Sequence, residues 1–259
     1  MLPLAGDPAG PILEGWTLLA ALAAQTTRLR LGLMVTGNMA RPPAVLAKIA
    51  ATVDVISHSR LDFGIGVGAT DQQGELQHLA VREYDAYGIP MLKPRDGVER
   101  LAETCVLVKR MWSETEPFDF DGRQLSLRGV LCEPKPVQRP HPPSLIGAFG
   151  ERLTLRVVAE HADLWNLPGP PHLGIEDFRR KSRVLDEHCE AIGRDPSEIV
   201  RSVQYIVPLD DPATARDTLL ELVAAGAGHL VLNVRPAPGV ARRVADEIVE
   251  PVLAQLGDG

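Results

Sequence analysis

The sequence predicts an α/β fold, a parallel sheet covered by helices and built as a TIM (β/α)8-type barrel with six core strands. Three observations carry this prediction. Strand-like and helix-like segments alternate along the whole chain, and most of the strand-like segments are continuous apolar runs. Such runs are buried on both faces, as happens when helices cover a parallel sheet on either side. The third observation is size: 259 residues, 45% of them apolar, suffice for one large core, so residues 1–259 read as a single domain.

The elements follow in order. PILEGWTLLAALAAQTT, Pro11 to Thr27, is rich in Leu and Ala and sets Trp16, Leu19, Leu22 and Ala23 on one helical face. RLRLGLMVT, residues 28–36, is the first strand. RPPAVLAKIAATVDVIS is a helix opened by prolines, which a first turn tolerates because its N–H groups have no partner there. The second strand covers 61–67, a long polar stretch ends in AYGIP, and a helix runs from Arg95 to Trp112. Asp121-Gly122 between alternating segments then predicts a β-hairpin, an excursion beside the core. A strand over 143–148, a glycine loop, a helix from Glu151 and a strand over 162–167 restore the rhythm. After a loop with Pro168, Pro170 and Pro171 comes a charged helix, Ile175 to Ile192. Strands over 201–208 and 229–235 flank a helix from Pro212 to Ala225, and a helix from Val240 to Leu256 closes the chain. Eight strands close a barrel, so two are missing, and the shortage falls at the front.

Composition excludes several functions. A net charge of −7 and a pI near 5.5 argue against a nucleic-acid or anionic-membrane partner. Cys105, Cys132 and Cys189 lie far apart and form no ligand cluster, which suits reduced thiols and a cytoplasmic location. No run approaches the ~18 apolar residues of a membrane span, and MLPLAGDPAGP lacks the basic-then-apolar pattern of a signal peptide.

Barrel chemistry sits at the C-terminal ends of the strands, so the residues just past each strand are the candidates. The first strand ends in Thr36, Gly37 and Asn38, a hydroxyl, a bare backbone and an amide; a plain strand-to-helix turn uses the same residues. The second ends in GIGVGAT, with Gly64, Gly66 and Gly68 spaced by two and followed by Ala69 and Thr70. A dinucleotide loop needs GxGxxG opening an apolar helix, and Asp71, Gln72, Gln73 and Gly74 open none. Period-two spacing instead puts the glycines on one face of the strand, where either another side chain fills the gap or a flat ligand lies. Gly147, Ala148, Phe149 and Gly150 precede a helix start, whose free N–H groups suit a phosphate, with Thr154 and Arg152 beside them. Trp165 and Asn166 are either a pocket wall or core packing. Among the histidines, His58 falls in a turn, His161 and His188 lie on helices at the surface, and His172 alone is placed to meet a substrate. No GxSxG elbow or carboxylate pair stands out, so the catalytic group is unknown and a cofactor is expected to carry the chemistry.

Taken together, EGWTLLAALAAQTTRLRLG, RPPAVLAKIAATVDVISHSRLDFGIGVG, AYGIP and CEPKPVQRPHPPSLIGAFGERLTLRVVAEHADLWN resemble the bacterial luciferase-like superfamily. Within it the chain resembles the coenzyme F420 (deazaflavin)-dependent oxidoreductases, from about Gly15 to Leu256. The resemblance implies a TIM barrel. It implies that Thr36-Gly37-Asn38 is the bulge backing the deazaflavin ring, that Gly66 to Thr70 lie beside the ring, and that Gly147 to Gly150 are the phosphate loop. Trp165 and Asn166 match the family's ADGWN strand, with Leu164 in place of its glycine. Ser57-His58-Ser59-Arg60 departs from a turn that usually carries two glycines. The family opens with a strand, a helix and a second strand ending in an acidic residue and a histidine. Nothing here matches these, so Met1 is expected to lie downstream of the natural start.

The expected function is F420-dependent transfer of a hydride to or from a small organic substrate, met by the loops 71–93 and 168–174. An FMN-dependent monooxygenase and a non-catalytic cofactor-binding barrel are the alternatives. No nucleic acid or membrane partner is expected, and a homodimer stays open.

Overall fold

The computed structural model describes residues 10–71 and 77–257. The backbone groups into two compact units, Met1–Ala148 with Glu160–Asp163, and Phe149–Ala159 with Leu164–Gly259.

In the first unit, α1 (Gly15–Gln25) leads into β1 (Leu31–Gly32), β2 (Thr36–Gly37), α2 (Pro43–Ser57) and β3 (Leu61–Gly66). After α3 (Gln77–Tyr87) and α4 (Pro94–Ser113) come β4 (Phe118–Asp121), β5 (Ser126–Val130) and β6 (Ser144–Gly147). β3 pairs in parallel with β1, β2 and β6, with Leu61 beside Leu31, Ile65 beside Thr36 and Phe63 beside Ser144. The strand expected over 28–36 is therefore two short pieces, separated by Leu33–Val35 with a cis Met34–Val35 peptide. The expected hairpin is β4–β5, antiparallel, and Glu103 of α4 accepts the turn N–H groups of Arg123, Gln124 and Leu125 at 2.6, 3.0 and 2.8 Å. α3 is a helix that the polar pattern before AYGIP does not announce, because Tyr84 is its buried anchor and no apolar stripe surrounds it.

The core of this unit is aromatic. Phe63 meets Trp112 edge-on at 5.1 Å and Trp16 at 6.3 Å, and Trp112 Nε1 donates to the Ala47 carbonyl at 3.0 Å. His58 and Ser59 take φ of 54° and 70°, the left-handed region that favours the glycines usual at this turn. The turn is held by Arg60, which donates to the carbonyls of Ala23, Thr26, Leu29 and Ser57 at 2.6–2.8 Å. Asp54, fully buried, accepts from the Val137 and Gln138 N–H groups at 2.7 and 3.0 Å and from Gln138 Nε2 at 2.7 Å. Asp54→Ala would leave a cavity at a fully buried site and take the acceptor from these part-buried donors, so it is expected to destabilise the fold by about 2–4 kcal/mol. Calorimetry should show that as a thermal midpoint lowered by roughly 4–16 °C.

In the second unit, β7 (Leu164–Pro168), β8 (Val200–Ile206) and β9 (His229–Asn233) pair in parallel in that order. They alternate with α6 (Ile175–Ala191) and α7 (Pro212–Ala224), after α5 (Thr154–His161); a helical run over 240–257 ends the chain. Tyr205 and Val207 pack on Ala215, Leu219, Ile248 and Val252, which is the face of β8 turned toward the helices. On β8, Ser202 and Gln204 alternate with Val203 and Tyr205 and therefore face the other way.

Candidate active site

The three glycines of the second strand have separate causes. A Cβ on Gly64 would lie 1.8 Å from the Leu33 carbonyl oxygen, and one on Gly66 would lie 2.9 Å from Val35 Cγ2. Of the two readings left open by the spacing, a filling side chain is the one observed: Val35, in the irregular link between β1 and β2, covers Gly66 and Gly147. Gly68 does not share that face. It lies past the end of β3 with φ +84°, and a Cβ there would sit 2.7 Å from Tyr84 Oη.

At the C-terminal ends of β2 and β3 these turns bring several candidates together. Thr36 is fully buried, and its hydroxyl accepts from Trp16 Nε1 at 2.8 Å. Gly37 stands beside Gly66 in the ladder, and the Asn38 N–H donates to the Gly66 carbonyl at 2.9 Å. The Asn38 side chain is also fully buried, yet neither its Nδ2 nor its Oδ1 has a hydrogen-bond partner among the described residues. The Ala69 N–H donates to Tyr84 Oη at 2.8 Å, and Thr70 bridges to Leu92. Gly97 of α4 gives close room to Val67 and Thr70. Burial raises the Tyr84 phenol above its ordinary pKa, only partly offset by the Ala69 N–H, so it stays protonated at neutral pH. Gly147 ends β6 beside Gly66, and Ala148 follows it, buried.

The other candidates belong to the second unit. Phe149 is exposed, and the Gly150 N–H donates to Thr154 Oγ1 at 3.0 Å while that hydroxyl donates back to the Gly150 carbonyl at 2.8 Å. The expected helix start at Glu151 is thus displaced to Thr154, whose hydroxyl closes the turn. Lys181 and Arg180 donate to the Glu151 carboxylate, each at 3.1 Å, and hold its pKa below the usual carboxylate range. Lys181 also donates to the Phe149 carbonyl at 2.7 Å, and His188 Nε2 lies 2.8 Å from the Glu151 carbonyl. His188, half-buried on α6, is therefore bonded to this loop.

Trp165 is fully buried and stacked on Phe178 of α6 at 6.1 Å, which is the packing alternative. Asn166 is buried on the opposite face. It donates to Ser202 Oγ at 2.9 Å and accepts from Gln204 Nε2 at 2.7 Å. Asn233 Nδ2 extends the chain to Gln204 Oε1 at 3.3 Å, and Ser202 Oγ lies 2.8 Å from His229 Nδ1. Sequence reasoning missed Ser202, Gln204 and His229; the alternation of polar and apolar residues in SVQYIVPL is the signal that could have found the first two. His172 is exposed in the loop after β7, where its backbone N–H closes a turn on Gly169. Residues 72–76 of the expected substrate loop, including the Gln72, Gln73 and Gly74 weighed above, lie outside the described residues, as do residues 1–9. Among the described residues no helix is long and apolar enough to cross a membrane.

Comparison with known proteins places this geometry. The sequence model of the luciferase-like monooxygenase family matches residues 4–253, a span that covers both units. A phthiodiolone/phenolphthiodiolone dimycocerosates ketoreductase of Mycobacterium sp. (strain JLS) is 32% identical over 199 residues, covering 76% of this chain and 48% of that protein. The chain thus spans about half the length of this curated relative. The structure is similar to the F420-dependent tetrahydromethanopterin reductase of Methanopyrus kandleri, with TM-score 0.77 and 16% identity over 93% of this chain and 88% of that one. It is also similar to an F420-dependent secondary alcohol dehydrogenase solved with an F420-acetone adduct, with TM-score 0.75, 14% identity, and coverage of 93% and 84%. At such identities the likeness shows the fold, the α/β TIM-barrel type expected from the sequence. With the family match spanning nearly all of its length, the chain belongs to the luciferase-like monooxygenase family.

Proposed function

We propose that this protein is an oxidoreductase that moves a hydride between a deazaflavin and a small organic substrate. The ring would rest at the rim formed by Thr36–Asn38 and Gly66–Thr70. The observation that carries this reading is the Asn38 amide, buried with its N–H2 and C=O both unpartnered among the described residues. A buried amide in that state is costly unless something brings an acceptor and a donor side by side. The imide edge of a flavin or deazaflavin ring is such a group. A Cβ on Gly37 would lie 3.4 Å from Gly68 Cα and one on Gly68 2.7 Å from Tyr84 Oη, so these glycines let the two rim segments and Tyr84 close together.

A bound deazaflavin would supply the hydride; the protein's part is orientation and exclusion of water. Trp16 fixes the Thr36 hydroxyl, and Val35 fills the space over Gly66 and Gly147. A carbonyl substrate is supported by the ketoreductase name of the mycobacterial relative. Phe149, Gly150 and His172 remain proposed contacts to the phosphate and substrate, and the cytoplasm the proposed location. A second reading, an FMN-dependent monooxygenase, is favoured by the family's own description, and the Asn38 amide suits that ring equally. Fluorescence titration with F420 and with FMN separates the two: saturable F420 binding is expected, and tight FMN binding without F420 binding would reject the first reading.

A further inference from the structure

The rim from Thr36 to Asn38 and from Gly66 to Thr70 contains no ionisable side chain of its own. Reduction of a carbonyl by hydride needs a proton for the oxygen as well, and Thr36 and Thr70 offer only aliphatic hydroxyls, much weaker acids than a phenol. Helix α3 brings one. Tyr84 is 6% exposed, and its hydroxyl reaches the exit of β3, where it receives the Ala69 N–H at 2.8 Å. A Cβ on Gly68 would lie 2.7 Å from that oxygen, 3.4 Å from Gly37 Cα and 3.6 Å from the Asn38 nitrogen. The phenol therefore occupies the side-chain space of Gly68, next to the backbone of the rim. Its oxygen accepts from Ala69, while its own O–H has no acceptor among the described residues.

We propose that the Tyr84 hydroxyl is the proton donor to the substrate's carbonyl oxygen, a role that rests on the deazaflavin reading above. The carbonyl carbon gains a hydride as its π pair moves to oxygen, the oxygen takes the Tyr84 proton, and water reprotonates the phenolate. The ketone is reduced by two electrons and the reduced deazaflavin supplied in the reaction is oxidised by two. Burial keeps the proton on the phenol until then, and the Ala69 N–H already points at the oxygen on which charge would develop.

The test is Tyr84→Phe in the full chain, with reduced F420 and a panel of simple ketones beginning with acetone and cyclohexanone. Expected are an unchanged F420 dissociation constant, an unchanged KM for the ketone and a kcat lowered by about 10²–10⁴-fold. The wild type should show a solvent deuterium isotope effect on kcat. A variant that keeps wild-type turnover overturns the assignment. So does one that loses F420 binding, because the hydroxyl then shapes the ring bed instead. A wild type that binds F420 and reduces none of the ketones removes the donor role and leaves the cofactor reading standing. A wild type that binds no F420 removes both.

Discussion

Gly64→Ala should be among the most damaging single substitutions in this chain, destabilising it by about 3 kcal/mol or more. The methyl group would be placed 1.8 Å from the carbonyl oxygen of Leu33. That atom is backbone, in the link between β1 and β2, and cannot rotate away as a side chain can. Relief requires β3 and the link to separate, which breaks the ladder that sets Thr36 and Gly37 beside Ile65 and Gly66. Gly66→Ala should be milder, about 1–2 kcal/mol, because its 2.9 Å neighbour is a methyl of Val35. Gly147→Ala, at 3.2 Å from the same valine, should be milder still. Thermal midpoints falling in the order Gly64, Gly66, Gly147 would support this packing. A Gly64→Ala protein with a midpoint near that of the wild type would contradict it.

Asn38→Leu should separate stability from binding. Leucine has nearly the shape of asparagine and no polar atoms, so it removes two buried, unpaired groups. The ligand-free protein is expected to gain about 1–2 kcal/mol, read as a higher thermal midpoint, while F420 binding weakens at least about tenfold. Sites that bind ligands often carry such a local penalty. An Asn38→Leu protein less stable than the wild type would mean that the amide has a structural partner. One that binds F420 unchanged would remove Asn38 from the site.

Much of the fold is legible from local pattern. Apolar runs mark the core strands, and Asp121-Gly122 marks the hairpin, because burial on two faces and turn chemistry are both local properties. The split of 28–36 into β1 and β2 is not legible, since an irregular link of Leu, Met and Val has the composition of a strand. α3 escapes for the opposite reason, being anchored by Tyr84 without an apolar stripe. At the site, spacing shows that Gly64, Gly66 and Gly68 lack side chains but not what takes their place. Leu33, Val35 and Tyr84 come from other elements, and only the register of β3 identifies them. The same holds for the polar chain through Asn166, Ser202 and Gln204, whose members are more than 30 residues apart in two of its links.

The most direct measurement is the equilibrium titration of the purified protein with oxidised F420, followed by cofactor fluorescence and repeated with Asn38→Leu. Saturable one-to-one binding by the wild type, weakened at least about tenfold in the variant, is the predicted result. Absence of F420 binding by the wild type, or equal affinity in the two proteins, would contradict a deazaflavin ring held at the Asn38 rim.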